Sequence, residues 1–269
     1  MSGLDTAFAA ARAADRAALV GYLPAGFPSV DGCVEAFVAL SEAGVDVFEV
    51  GLPYSDPLMD GPVIQAAVQR ALDASVGTSA VLDTVRRVVD ATGVPTVVMT
   101  YWNPVERYGV DRFAADLAAA GGSGLITPDL IPEEATGWRD AAARNGLAPV
   151  FLVAPSSTDE RLRVVASANS GFVYAASTMG VTGARAAVGD RAEGLVGRVR
   201  AVTDLPVAVG LGVSTGDQAA QVAAYADGVI VGSALVATLL DEDAADPLDA
   251  LGALARELAD GVRRPRRGR

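Results

Sequence analysis

Eight short runs of nearly unbroken apolar residues constrain this chain more than any other feature. They are ALVGYL (18–23), VDVFEVGLP (45–53), VPTVVMTYW (94–102), SGLITPDL (123–130), APVFLVAP (148–155), GFVYAAST (171–178), PVAVGLG (206–212) and DGVIVGSA (227–234). A strand with one wet face alternates apolar and polar residues; continuous apolarity marks strands buried on both faces. Between the runs lie Ala-rich segments of helical length and periodicity. VDGCVEAFVALSEAG is one. IPEEATGWRDAAARNG is another, with acids expected in its first turn and Gly146 as its stop. Strands alternating with helices predict a parallel sheet, and eight of them predict a closed (β/α)8, or TIM, barrel, for which 269 residues is a suitable length. A doubly wound open sheet is the alternative. Against it, GYLPAGFPS after the first run lacks the G-x-G-x-x-G of a dinucleotide-binding turn.

Two additions to a minimal barrel are expected. An amphipathic segment at about 4–14 precedes the first strand and could close the barrel's bottom. Two helical segments, 62–74 and 78–92, separate the second and third strands where one would serve. No linker or shift in composition divides the chain, so residues 1–262 read as one domain. The Arg-rich stretch 263–269 reads as a disordered tail.

Composition narrows the chemistry. There is no histidine and one cysteine, Cys33, within an apolar-periodic stretch that suggests packing. Disulfides, thiolate zinc sites, imidazole ligands and His-based triads are excluded, and no metal site is expected. Proton transfer must fall to carboxylates, Tyr or the backbone. The net charge is −12, and five of the 21 basic residues lie among the last seven positions. Without them 16 basic groups face 33 acidic ones, a balance of −17. Such a body repels nucleic acid and anionic lipid. Charges interrupt the N-terminal apolar residues, and the longest charge-free stretch, 164–184, is polar and Gly-broken. Neither a signal peptide nor a membrane span is expected, and the chain reads as cytoplasmic.

In such barrels the site lies at the C-terminal ends of the strands. The second run continues as VFEVGLPYSDPLMDGPVIQ. Glu49 stands inside it between Phe48 and Val50, where burial disfavours the ionised form and raises the pKa toward neutrality. That suits a group which both gives and takes a proton. Its bland alternatives are a buried ion pair or a loop cap. Asp60 follows eleven residues later, just before a helical segment, and in isolation reads as an N-cap. Glycine-rich ends follow the sixth, seventh and eighth runs: TMGVTGARAAVG with Gly183, VGLGVS with Gly210 and Gly212, and IVGSALV with Gly232 and Ser233. Backbone N–H groups and a short helix N-terminus there would hold one dianion without Lys or Arg.

With these residues in hand, the chain closely resembles the tryptophan synthase α subunit family. The carrying segments are 47–65, MTYWNPVERYG (99–109), PDLIPEEA (128–135), YAASTMGVTGAR (174–185), GLGVS (210–214) and VGSALV (231–236), in order across nearly the whole chain. The run E-x-G-x-P-x-S-D-P-x-x-D-G is far more specific than a generic barrel would show. The resemblance implies a metal-free and cofactor-free retro-aldol lyase of tryptophan biosynthesis. Its substrate would be indole-3-glycerol phosphate and its products indole and glyceraldehyde 3-phosphate. It implies Glu49 as the acid–base group and Asp60 as the acceptor of the indole N–H, the former with a raised pKa and the latter ionised. It implies Tyr174 beside the glycerol chain, Tyr22 beside the indole pocket and Thr182 as a lid residue reaching Asp60. Gly183, Gly212, Gly232 and Ser233 would form the phosphate cradle. Tyr22 reads equally well as strand packing. Leu211 and Thr178-Met179 depart from the family pattern at the pocket's edge.

The resemblance further implies a pyridoxal-phosphate-bearing β subunit as partner in an α2β2 heterotetramer, to which indole is passed. Ser55-Asp56-Pro57, Asn103-Pro104 and 129–134 would then face the partner. Other readings remain: a different phosphate-binding barrel, a non-catalytic scaffold, or a free-standing lyase that releases indole.

Overall fold

A computed structural model describes residues 2–176, 185–210 and 212–264. The chain runs α1 (Gly3–Ala13), β1 (Ala18–Pro24), α2 (Val30–Glu42), β2 (Val47–Gly51), α3 (Pro62–Asp73), α4 (Thr78–Thr92), β3 (Thr96–Met99), α5 (Trp102–Tyr108), α6 (Val110–Ala119), β4 (Gly124–Thr127), α7 (Thr136–Asn145), β5 (Ala148–Val153), α8 (Asp159–Ala168), β6 (Val173–Ala176), α9 (Arg185–Arg200), β7 (Val207–Gly210), α10 (Gly216–Ala223), β8 (Gly228–Val231), α11 (Ser233–Leu240) and α12 (Pro247–Val262). The eight strands are parallel and close into a barrel in chain order, β8 pairing back onto β1. Each apolar run holds one strand; β1 extends one residue beyond its run, to Pro24, and the other seven strands are shorter than theirs.

Parallel register partners point the same way, so the side chains sort into an inner and an outer set. Inside, Ala18, Val20, Val47, Val97, Ile126, Val150, Phe172, Ala208 and Ile230 fill the lower barrel. Outward residues such as Leu19, Phe48, Val98 and Leu125 pack beneath the helices. Helix α4 shows how those helices are recruited, burying Val81, Leu82, Val85 and Val88 along one stripe.

The expected N-terminal helix is α1. A capping box starts it: Ser2 Oγ accepts from Asp5 N–H at 3.2 Å, and Asp5 Oδ2 accepts from Ser2 N–H at 2.8 Å. Leu4, Phe8 and Ala11 then lie on one face and join the inner core, with Phe8 5.3 Å from Phe172 ring to ring. Nearby, Asp46 takes two bonds from Arg16, at 2.7 and 2.8 Å, and one from Leu19 N–H at 2.8 Å, pinning the start of β1 to that of β2.

The two helices between β2 and β3 are present as α3 and α4. Two further departures from one helix per strand were not expected. Among the described residues, α5 and α6 both lie between β3 and β4, and α11 and α12 both follow β8. The 131–146 segment also starts later than its sequence suggests. Residues 131–135 form a turn, α7 begins at Thr136, and Glu133 pairs with Arg161 instead of lining a first helical turn. Gly146 ends α7 in the left-handed conformation, φ 67°. At the other end, Arg263 and Arg264 pack onto the barrel, contrary to their assignment to the tail. Arg263 caps α12 and donates to Gly44 O at 3.4 Å, and Arg264 pairs with Asp217. Residues 265–269 lie outside the described set. No helix among the described residues is long and apolar enough to cross a membrane. Cys33 is buried, with Sγ 3.6 Å from Pro24 O.

Candidate active site

A cavity of about 270 Å³ opens at the C-terminal ends of the strands. Its floor is the uppermost inner layer: Tyr22 from β1, Glu49 from β2, Met99 from β3, Leu152 from β5, Tyr174 from β6 and Ile230 from β8. Leu52, Met59, Asp60 and Ile64 wall one side, with Thr100, Tyr101 and Pro128 next to them. Gly210, Gly212, Gly232 and Ser233 form the edge contributed by β7 and β8. Among the described residues the lining carries no cationic side chain.

Glu49 is placed by strand alternation. It shares the inner face of β2 with Val47, and its register partner on β1 is Tyr22. It is 1% exposed, and Oε1 has no hydrogen-bond partner. Among the described residues neither bland alternative holds: no arginine pairs with it and it caps no loop. Loss of hydration alone pushes its pKa from the usual 4.5 up to about 8.

Asp60 belongs to the irregular segment 52–61. The helix cap that the sequence suggested for it is taken by Gly61, which makes no side-chain capping bond, and Pro62 opens α3. The Asp60 carboxylate is free to face the cavity, where Tyr101 Oη donates to Oδ1 at 3.4 Å. Desolvation raises its pKa from the ordinary carboxylate value, and the Tyr101 bond acts in the opposite direction.

Burial drives the Tyr22 and Tyr174 phenols well above their usual pKa. The negative charges of Asp60 and Glu49 add to this at Tyr22, and that of Glu49 at Tyr174. The four groups thus feel one another across one cavity. Tyr22 is also seated by glycine: a Cβ on Gly232 would stand 3.2 Å from its ring. Gly232 is the N-cap of α11 without any side-chain bond, so the first N–H groups of that helix, from Ser233 on, open toward the cavity edge. Thr182, Gly183, Leu211 and Thr178-Met179 lie outside the described residues. Of the nine residues picked out from sequence, the cavity therefore brings together Tyr22, Glu49, Asp60, Tyr174, Gly212, Gly232 and Ser233.

Tyr101 was missed. It closes β3, the position from which such a site is built, but its place inside the apolar run 94–102 made it read as strand. The strand ends at Met99, which puts Tyr101 over the cavity.

A family model described as "Tryptophan synthase alpha chain" matches residues 8–263. The chain belongs to the tryptophan synthase alpha chain family. It is 60% identical to the alpha chain of Streptomyces avermitilis over 261 residues, covering 97% of this chain and 94% of that one. It is also 60% identical to the Salinispora arenicola alpha chain over 268 residues, covering 98% and 99%. Among solved structures, tryptophan synthase from M. tuberculosis in an open form superposes with a TM-score of 0.89 at 54% identity, covering 98% of this chain and 99% of that one. The alpha subunit of Legionella pneumophila strain Paris gives 0.90 at 35% identity, covering 97% and 98%. The activity of the tryptophan synthase alpha family is a carbon–carbon lyase reaction in tryptophan synthesis, the cleavage of indole-3-glycerol phosphate to indole and glyceraldehyde 3-phosphate. The family is the subunit of tryptophan synthase that does not carry pyridoxal phosphate.

Proposed function

We propose that the cavity carries out this cleavage with Glu49 as its proton-transfer group and Asp60 as its anchor for the indole N–H. The observation that carries the reading is Glu49 itself: a buried carboxylate whose Oε1 has no hydrogen-bond partner among the described residues and whose pKa is pushed up to about 8. Held protonated, it gives its proton to indole C3, and positive charge spreads to the ring nitrogen. Asp60 accepts the ring N–H and stabilises that charge. Glu49, now a carboxylate, takes the proton of the side-chain hydroxyl next to C3. The oxygen's electrons form the aldehyde C=O, the C3–carbon bond breaks, and its electron pair restores the aromatic ring. The C3 proton stays on indole and the hydroxyl proton stays on Glu49, so the enzyme ends as it began.

Tyr174 flanks the glycerol chain, and Tyr22 flanks the indole. The phosphate rests on the N–H groups at Gly212, Gly232 and Ser233; the roles expected of Gly183 and Thr182 fall outside the described residues. A dianion there needs no cationic side chain when helix α11 presents its N-terminus. The chemistry asks for no metal or organic cofactor in this chain.

The partner in this reading is a pyridoxal-phosphate β subunit in an α2β2 assembly that receives the indole, in the cytoplasm. Support comes from the cavity's rim. Leu58 is 79% exposed and Met59 49%, and Ile131 is exposed on the adjoining turn, an apolar fringe suited to a protein surface. The test is to supply indole-3-glycerol phosphate to the chain with and without a β subunit and assay glyceraldehyde 3-phosphate. Product from wild type and none from Glu49→Gln supports the roles; full activity in Glu49→Gln removes them. Co-elution with the β subunit at the mass of a heterotetramer tests the assembly.

A further inference from the structure

We propose that Tyr101 is the positioning residue for Asp60, fixing both the place and the charge of that carboxylate through a three-way hydrogen-bonded clamp. The inference rests on the role assigned to Asp60 above.

Asp60 comes from a stretch of irregular chain whose preceding residues, Leu58 and Met59, are exposed. Nothing in local secondary structure fixes such a side chain. The Tyr101 phenol, 5% exposed, supplies the constraint. Its oxygen accepts from Leu58 N–H at 3.0 Å and from Met59 N–H at 2.8 Å. A phenol oxygen has one proton to donate and at most two acceptor sites. With both acceptor sites occupied, the proton is left for Asp60 Oδ1, 3.4 Å away. The polarity is therefore set: Tyr101 donates and Asp60 accepts, which favours the ionised carboxylate. Among the described residues Tyr101 is the hydrogen-bond partner of that carboxylate.

The clamp is itself held. Tyr54 lies against the Tyr101 ring, 5.2 Å between centroids. Thr100 Oγ1 donates to the Tyr101 carbonyl at 3.1 Å. The next peptide, Trp102 N–H, donates to both carboxylate oxygens of Asp129 at 2.9 and 3.1 Å. The phenol oxygen thereby ties the loop after β2 to that after β3, and Asp129 ties the latter in turn to the loop after β4. The titratable groups around Asp60 are Tyr22 from β1, Glu49 from β2 and Tyr101 from the end of β3, with Tyr174 from β6 beside Glu49. Of these, the Tyr101 bond lowers the Asp60 pKa against the upward pull of burial.

The experiment is a pH profile of kcat/KM for indole-3-glycerol phosphate cleavage, on the chain with its β subunit. Wild type, Tyr101→Phe, Asp60→Asn, the double variant, and a chain with 3-fluorotyrosine at position 101 would be compared. Tyr101→Phe keeps the ring and removes the clamp. Its acid limb should move to higher pH and its kcat fall about fivefold to tenfold, the loss of one hydrogen bond. The fluorinated phenol, a stronger donor, should move the acid limb the other way, and it serves as the test should Tyr101→Phe fold poorly. In the Asp60→Asn background, Tyr101→Phe should add nothing, because the two act as a unit. An unmoved acid limb in both Tyr101 variants overturns the proposal, as do Tyr101 and Asp60 losses that multiply. Either result leaves the role of Asp60 standing provided Asp60→Asn alone is strongly but measurably impaired; a fully active Asp60→Asn overturns both.

Discussion

Tyr174 on β6 lays its hydroxyl over Gly210 at the end of β7, 2.7 Å from where a Cβ would stand. Tyr22 does the same one strand along from β1, its phenol covering Gly51 at the end of β2. In both cases the tyrosine leans onto the neighbouring strand two residues above its own register partner, Ala208 for Tyr174 and Glu49 for Tyr22. Bare backbone at the top of β2 and β7 is what lets two phenols lie flat across the mouth of the barrel.

Gly210→Ala should therefore push the Tyr174 ring toward the substrate. The cost is that of overpacking a fixed site, about 1–3 kcal/mol, seen mainly as weaker binding. Combining it with Tyr174→Phe removes the closest atom and leaves the ring carbon at 3.1 Å. The double variant should bind a non-cleavable substrate analogue more tightly than Gly210→Ala alone. Calorimetric titration of both variants decides it; equal affinities would mean the backbone shifts instead of the ring.

Replacing Glu49 by Gln keeps the shape and removes the exchangeable proton. Turnover should fall by at least ~10²-fold, within the range typical for general acid–base groups, while KM changes little. In wild type the protonated form of Glu49 starts the reaction, so above the acid limb set by Asp60 kcat/KM should level off and then decline as pH rises through about 8. An alkaline decline that already sets in at the ordinary carboxylate pKa would show that the pocket around Glu49 is not dry when the substrate binds.

The same substitution should change stability in a pH-dependent way. The folded-state pKa of Glu49 is raised, from 4.5 to about 8. Between those values the native chain keeps a proton that the unfolded chain has released. The contribution of Glu49 to stability is then fully present below about pH 4.5, falls through the window, and levels off above about 8. At about 1.4 kcal/mol per unit, the shift caps the loss at roughly 5 kcal/mol. Glu49→Gln has no such slope. Its Tm should approach or exceed that of wild type as pH rises from 5 to 9, and a gap that stays constant would contradict the shift.

What the sequence could and could not reveal follows from the range of the forces involved. Continuous apolar runs report burial on both faces, so all eight strands, their order and the burial of Glu49 were legible from local pattern, but not the face of β2 that carries it. Helices α3 and α4 were legible for the same reason. Asp60 was recognisable only through the motif around it, because a lone Asp before a helix looks like a cap; that Gly61 takes the cap is a matter of backbone geometry. Tyr101 stayed hidden because its function lies in a bond to a loop 42 residues earlier, and nothing local separates it from the strand it closes. Arg264 was misread because its partner, Asp217, is 47 residues away.

The lower end of the barrel offers a test that leaves the chemistry untouched. Phe8, 3% exposed, is the largest side chain that α1 contributes to the inner core, and it meets Phe172 at 5.3 Å. Phe8→Ala opens a cavity against a rigid ring of strands that cannot collapse into it, which places the cost at about 3–5 kcal/mol. The cavity that holds Glu49 and Asp60 lies at the opposite ends of the same strands. A Phe8→Ala chain kept below its lowered melting temperature should therefore cleave substrate at close to the wild-type kcat. Chemical denaturation should show the midpoint reduced with the slope preserved. A small change in midpoint would mean that α1 peels off the barrel before the strands unfold, and that the plug is not part of the cooperative unit.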